Sequence, residues 1–421
     1  LRTIEEYTFF KCSNLLEIIL PEGLETIKMG AFNNCTSLTE ITLPKGVTTI
    51  GDDAFFQCSS LISITLPEGL ITIGDNAFSQ CSILGTHYNI TLPPRLTFIG
   101  DNAFSGCNGI YAIALPVGIN YIGTHAFREC TKLISITCVP ATMNTLPATL
   151  TFIGTGAFCE CTGLTSITLP DTLVSIGHDA FRNCSSLTEI TLPEGLKSID
   201  AYTFVGCRGL TSITLPEGLT SIGEFAFGDC SGLTSITLPE GLTSIELGVF
   251  ENCTGLTSIT LPARLTSIGE QAFIGCSSLT EITLPATLTT IEANAFRNCR
   301  SLADVKFSET SKITVTIGHR AFGGCTSLTY IRLPNKCEVA FDFLQGCTAC
   351  RSVGMRVGSS LNGTATRCVI HLAGTFLIAQ LMEAIQTNAA QLAGAAGGAA
   401  EEGTRFLSRL AVQLIDPPHG E

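Results

Sequence analysis

Residues 230–252 read CSGLTSITLPEGLTSIELGVFEN, and the same sentence returns along the whole chain with a cysteine in its first place. The register is Cys12, Cys35, Cys58, Cys81, Cys107, Cys130, Cys161, Cys184, Cys207, Cys230, Cys253, Cys276, Cys299, Cys325 and Cys347. Most steps are 23 residues; those from 81 to 107 and from 299 to 325 are 26, that from 130 to 161 is 31, and the last is 22. Ile recurs eight residues before fourteen of these cysteines, from Ile4 to Ile317, and Phe three residues before them, from Phe9 to Phe322. The final unit has Val339 and Leu344 in those places, as expected where an array meets its cap.

Within one unit Leu233, Ile236 and Leu238 alternate with polar residues at the period of a strand, and Pro239 ends it because proline has no N–H for a ladder. Glu240-Gly241 supplies a turn, and a second short extended piece carries Leu242 and Ile245 inward. The stretch Asp52-Asp53-Ala54-Phe55 is expected to form a short helical turn with Ala54, Phe55 and Cys58 on one side. A 23-residue unit of this kind has no core of its own, so its inward Leu, Ile and Phe are covered only by the next unit. The expected fold is a β-rich solenoid of parallel stacked strands over residues 1–350, with about fifteen repeats.

Composition narrows the function classes. Hydrophobic residues are 45% and charged residues 14% of 421, but no apolar run reaches the roughly 20 residues of a membrane-spanning helix. The formal charge of −13 and the lack of a Lys/Arg cluster argue against a nucleic-acid partner. The chain opens at Leu1 inside a repeat and is expected to be a fragment or a processed product. After Thr375, apolar residues recur at helical spacing at Leu377, Ile378, Leu381, Met382 and Ile385, and again at Phe406, Leu407, Leu410 and Leu414. Residues 351–421 are therefore expected to form a small C-terminal cap of two helices joined by an Ala/Gly-rich linker.

The segments LTSITLPEGLTSIGEFAFGDC (residues 210–230) and LPEGLKSIDAYTFVGC (residues 192–207) closely resemble the BspA-like class of leucine-rich repeats, and the resemblance covers roughly residues 1–350. It implies a leucine-rich-repeat solenoid. It also implies a surface or secreted protein of a bacterium or unicellular eukaryote, of a class often adhesive toward host or matrix proteins. An extracellular or cell-surface location follows as the favoured expectation, with a cytoplasmic one as the alternative.

Twenty cysteines raise the question of disulfides or metal. Like atoms on stacked turns are about 4.8 Å apart, beyond the Cβ separation of about 3.5–4.5 Å that a disulfide needs, so the fifteen repeat cysteines read as a ladder of buried thiols. Cys138 reads as one more small core residue, and Cys159, after Phe158, as an exposed one. Near the end of the array Cys337, Cys347, Cys350 and Cys368 leave open a zinc site or a 337–350 or 350–368 disulfide. No cofactor or metal is expected, and the six scattered histidines and the absence of nucleophile or phosphate-loop motifs point to no catalytic set. Asn34, Asn89, Asn183, Asn252 and Asn362 meet the glycosylation rule, Asn89 and Asn362 being the better acceptors.

Partner contact is expected on the strand face, where residues flanking the inward Ile form parallel hydroxyl rows: Ser212 and Thr214, Ser235 and Thr237, Ser258 and Thr260, with Glu189 and Glu281 replacing Ser. This face is expected to be the one continuous exposed sheet surface. The insertions around Gly85–Tyr88 and Cys138–Asn144 leave the stack as loops, and His87, Tyr88, Val139 and Met143 are expected contacts there. The expected function is a non-catalytic, adhesion-type module for a protein or glycoconjugate ligand, the alternative being an intracellular protein–protein scaffold.

Overall fold

The computed structural model describes residues 1–86, 89–139, 145–308, 313–334, 336–340, 342–357 and 366–371. They form a parallel-strand solenoid of about fifteen turns. It divides into two compact units, Leu1–Pro239 and Glu240–Glu421. No helix among the described residues is long and apolar enough to cross a membrane.

In the first unit, the extended piece that carries the Ile before each Cys makes the longest sheet. Thr3–Ile4, Thr26–Ile27, Thr49–Ile50, Thr72–Ile73, Phe98–Ile99, Tyr121–Ile122, Phe152–Ile153 and Ser175–Ile176 form eight parallel strands in chain order. Their register is like on like, Ile27 opposite Ile50 and Ile122 opposite Ile153. The Leu-x-x-Ile-x-Leu strands, expected to be the continuous face, instead pair in short groups. These are Glu40–Thr42 with Ser63–Thr65; Ile90–Thr91, Ala112–Pro116 and Ser135–Val139; and Ser166–Thr168 with Glu189–Thr191. Pairing on that side lapses also where the step is a plain 23 residues, Thr191 meeting Thr214 only through an isolated bridge, and the two-residue pieces Ser198–Ile199 and Ser221–Ile222 form a separate pair.

The second unit repeats the plan. Ser244–Ile245, Ser267–Ile268, Thr290–Ile291, Val315–Ile317 and Cys337–Val339 form a five-stranded parallel sheet, and Glu281–Leu284 pairs with Asp304–Phe307. Past the last ladder cysteine, Ser352–Val357 adds a parallel strand to Tyr330–Arg332 and then pairs antiparallel with Thr366–His371. These two strands lie in the expected cap but before Thr375, where its helices were expected to begin, and the sequence reading had assigned them no element. The helices expected over 377–385 and 406–414 lie outside the described residues.

The segment before each cysteine is not helical. The Asp53, Phe55 and Gln57 N–H groups donate to Asp75, Ala77 and Ser79 carbonyls of the next turn at 2.8–2.9 Å, while Ala54, Phe56 and Cys58 donate three residues back, to Gly51, Asp53 and Phe55. With every second amide committed sideways, the i to i−4 ladder of a helix cannot form. Asp53 and Gln57 accordingly have φ of 53° and 56°, the third position of tight turns that favours Gly, Asn or Asp.

Side chains stack as the backbone does. In the first unit ten Phe rings from Phe9 to Phe227 lie nearly parallel with centroids 5.0–5.6 Å apart; in the second, Phe250, Phe273, Phe296 and Phe322 do the same at 5.0–5.3 Å. Most are fully buried together with the Ile, Ala and Cys of each turn. The place after the strand Ile holds Lys28, Asp200, Glu246 or Glu292 in some turns, but at Gly100 the approach is close: a Cβ there would lie 2.6 Å from the Gly74 carbonyl carbon and oxygen. Gly100→Ala is expected to lower stability by about 1–3 kcal/mol, since backbone and not a movable side chain must yield. Thermal unfolding followed by circular dichroism checks this; an unchanged melting temperature would show that the turns have slack.

Candidate binding surfaces and the thiol ladder

All eight residues expected on the strand face are exposed. Ile213 and Ile236 between the Ser-Thr pairs are buried, and Glu189 stands opposite Ser166 with Thr191 opposite Thr168. The alternation follows from the strand period, and each of these rows presents short hydroxyl or carboxylate side chains to solvent. Glu281 is not a lone acid: Lys306 Nζ lies 2.5 Å from its Oε2 and 3.4 Å from Asp304 Oδ2, so that part of the face carries a compensated cluster. His87, Tyr88 and Met143 lie outside the described residues. Val139 pairs through its backbone with Pro116, but its side chain also lies outside them.

The sequence reading missed a row on the other sheet. At the residue before the inward Ile most turns carry Thr or Ser, but three consecutive turns carry Phe98, Tyr121 and Phe152. Their rings stack with centroids 5.2 and 5.5 Å apart and planes within 8°. Nearby, Asp52, Asp75 and Asp101 each accept through Oδ1 the amide of the next turn, from Asp75, Asp101 and Thr124, at 2.9, 2.8 and 2.7 Å. The signal lay in the departures from the repeat, which averaging over repeats conceals.

The ladder cysteines have a second partner that spacing did not reveal. Cys184 Sγ donates to the Phe158 carbonyl of the preceding turn at 3.1 Å, a carbonyl that also accepts the Cys161 N–H. Cys58, Cys81, Cys107, Cys130, Cys161, Cys207, Cys230, Cys276, Cys299 and Cys325 repeat this bond at 3.1–3.2 Å. Cysteine suits the place because it is small and apolar yet still has a weak donor for a buried carbonyl lone pair. Burial pushes the Cys130 and Cys230 thiols up to about 12.

Cys138 is buried as expected, but Cys159 is buried as well. The place after the ladder Phe lies within the stack when its side chain is short, as it does for Ser79 and Ser105. Cys337 and Cys350 are free thiols, so neither of the two disulfides that the spacing left open is present. Among the described residues no group of three or more His, Cys, Asp or Glu is placed to hold a metal ion.

Repeats of this register, with Ile, Ala-Phe and Cys each on its own ladder, match the family model of the BspA-type leucine-rich repeat region in six copies, over residues 1–89, 86–147, 137–256 and 220–351. The chain belongs to the BspA-type leucine-rich repeat family. A leucine-rich repeat protein from Bacteroides ovatus is similar in structure, at 29% identity over 80% of this chain and 94% of that one, with a TM-score of 0.63. A leucine rich cell surface protein from Faecalibacterium prausnitzii aligns at 28% identity over 70% and 79% of the two chains, with a TM-score of 0.47. Among curated protein sequences none matches this BspA-type chain.

Proposed function

We propose that this BspA-type chain is a non-catalytic, adhesion-type binding module that holds a macromolecular partner, a protein or glycoconjugate, at the cell surface or outside the cell. The carrying observation is the repetition of exposed Ser-x-Thr rows over buried Ile, which lets one ligand touch several turns at once. Membership of a repeat family whose units bury their apolar face by stacking supports it, because the free variable of such a fold is its exposed side chains. Nucleic acid is the disfavoured partner on the charge of −13. The intracellular-scaffold reading is favoured by one feature, the free thiols of Cys12, Cys347 and Cys350, which are not fully buried.

The test changes Ser212, Thr214, Ser235 and Thr237 to Lys, all in the first unit, and measures affinity for a partner isolated on the full chain. Four hydroxyl contacts at about 0.5–1.5 kcal/mol each would be lost, so affinity is expected to fall at least ~30-fold with the circular dichroism unchanged. A second variant removes residues 140–143, sparing Cys138 and Val139, which pair with Leu115 and Pro116. Loss only in the deletion would move the site to the loop, and no loss in either would sink the strand-face reading.

A further inference from the structure

Thr72, Phe98, Tyr121, Phe152 and Ser175 stand in register on consecutive parallel strands. A parallel stack turns the ring faces toward each other, so solvent meets the ring edges and the outer faces of Phe98 and Phe152. The core does not require these rings, because Thr72 and Ser175 complete the same strand over the same buried Ile. Cross-strand aromatic pairs stabilise a sheet only weakly, a reason for the rings to stack but not for a row of them to face water. Ile71 and Val174 stand one residue before Thr72 and Ser175, in the neighbouring row of Thr97, Asn120 and Thr151, and are 42% and 64% exposed beside the two ends of the ridge. The aromatic ridge crosses three turns, about 10 Å at ~4.8 Å per strand, which is the length of roughly three extended residues.

The flank at the Phe98 end of this ridge is negative, while the Tyr121 and Phe152 turns carry Thr124 and Thr155 at the same place. Asp52, Asp75 and Asp101 lie two residues after the inward Ile of three successive turns, and the amide bonds to Oδ1 hold their carboxylates in a line. The Thr124 N–H, three residues after Tyr121, donates to Asp101 Oδ1 at 2.7 Å, which holds the Asp101 carboxylate beside the turn of Tyr121. Arg95 lies at the opposite end of the Phe98 segment, three residues before the ring as Asp101 lies three after it.

We propose that the Phe98–Tyr121–Phe152 ridge docks an extended cationic polypeptide, its aliphatic side chains lying on the rings and its Lys or Arg side chains pairing with Asp75 and Asp101. The inference rests on the binding-module reading but puts contact on a different row from the Ser-x-Thr face. Apolar burial supplies attraction there, and the carboxylate line selects the sign of the partner's charge.

The full chain is titrated by fluorescence anisotropy with three labelled peptides: (Lys-Leu)4, (Lys-Ser)4 and (Glu-Leu)4. The expected order is strongest binding for (Lys-Leu)4, weaker for (Lys-Ser)4 and none measurable for (Glu-Leu)4. The triple variant Phe98→Thr, Tyr121→Thr, Phe152→Thr, which installs the residue of the Thr72 turn, is expected to weaken (Lys-Leu)4 at least tenfold. Asp75→Asn with Asp101→Asn, which keeps the amide acceptor, is expected to weaken it several-fold and to flatten its salt dependence. Should the triple variant melt early, Ile71→Thr with Val174→Thr serves in its place, with a several-fold loss expected. Equal binding to the ridge variants, a preference for (Glu-Leu)4, no binding of any peptide, or ridge-dependent binding of cellohexaose instead would each overturn the proposal. If the ridge variants keep the native partner while the Lys variant of the strand face loses it, only the ridge falls and the module reading stands.

Discussion

Treated with a thiol reagent at pH 7, the folded chain is expected to react at no more than four of its twenty cysteines: Cys12, Cys347, Cys350 and Cys368. The others whose side chains are described are buried among Leu, Ile and Phe. A thiol moved from the ordinary 9.0 to about 12, as for Cys130, has ~1000-fold less thiolate at neutral pH, and burial blocks the reagent as well. In denaturant all twenty should react. The same shift makes stability depend on alkali. The folded-state value is raised, so the stabilisation is fully present below the unfolded value near 9 and is lost as pH rises toward 12. At pH 10 each such thiol costs about 1.4 kcal/mol, and a ladder of them is expected to unfold the chain between pH 9 and 11. Rapid labelling of most cysteines in the native state, or a pH-independent melting temperature from 8 to 11, would contradict the ladder.

Removing one ring from the Phe ladder is expected to be the costliest single substitution. Phe181 is fully buried, and its ring lies between those of Phe158 and Phe204 at 5.5 and 5.6 Å. Phe181→Ala empties that space, and the neighbours cannot collapse into it because their backbones are pinned in register by turn-to-turn hydrogen bonds, Phe158 N–H to the Ala180 carbonyl and Phe181 N–H to the Thr203 carbonyl. A loss of about 3–5 kcal/mol follows. Contacts in a solenoid are mainly between nearest turns, so hydrogen exchange should quicken around Phe158 to Phe204 and leave the turns around Phe32 protected. A loss below about 1 kcal/mol, or exchange that quickens equally everywhere, would show that the stack is not the unit of stability.

The candidate surfaces were legible in unequal measure. The exposure of Ser212, Thr214, Ser235 and Thr237 was readable because alternation about a buried Ile admits one answer. The ion pair that compensates Glu281 was not, since Lys306 lies 25 residues away and is brought opposite only by the pairing of Glu281–Leu284 with Asp304–Phe307. The aromatic ridge was written in the sequence as three departures from Thr or Ser, but its rings are separated by 23 and 31 residues and become neighbours only through the stack.

By itself the sequence determined the solenoid, its parallel strands and the inward Leu, Ile, Phe and Cys. The reason is that a repeating unit too small to bury its own apolar face has few ways to do so other than stacking in register. Tertiary structure decided which of the two extended pieces forms the longest sheet, because lateral pairing between turns is not written in a single repeat. It also replaced the expected helical turn with alternating lateral and local hydrogen bonds, which a helical spacing of Ala54, Phe55 and Cys58 mimics. The S–H to carbonyl bonds and the burial of Cys159 belong to the same class: both depend on what the neighbouring turn offers at that height, and a single repeat carries no record of its neighbour's backbone.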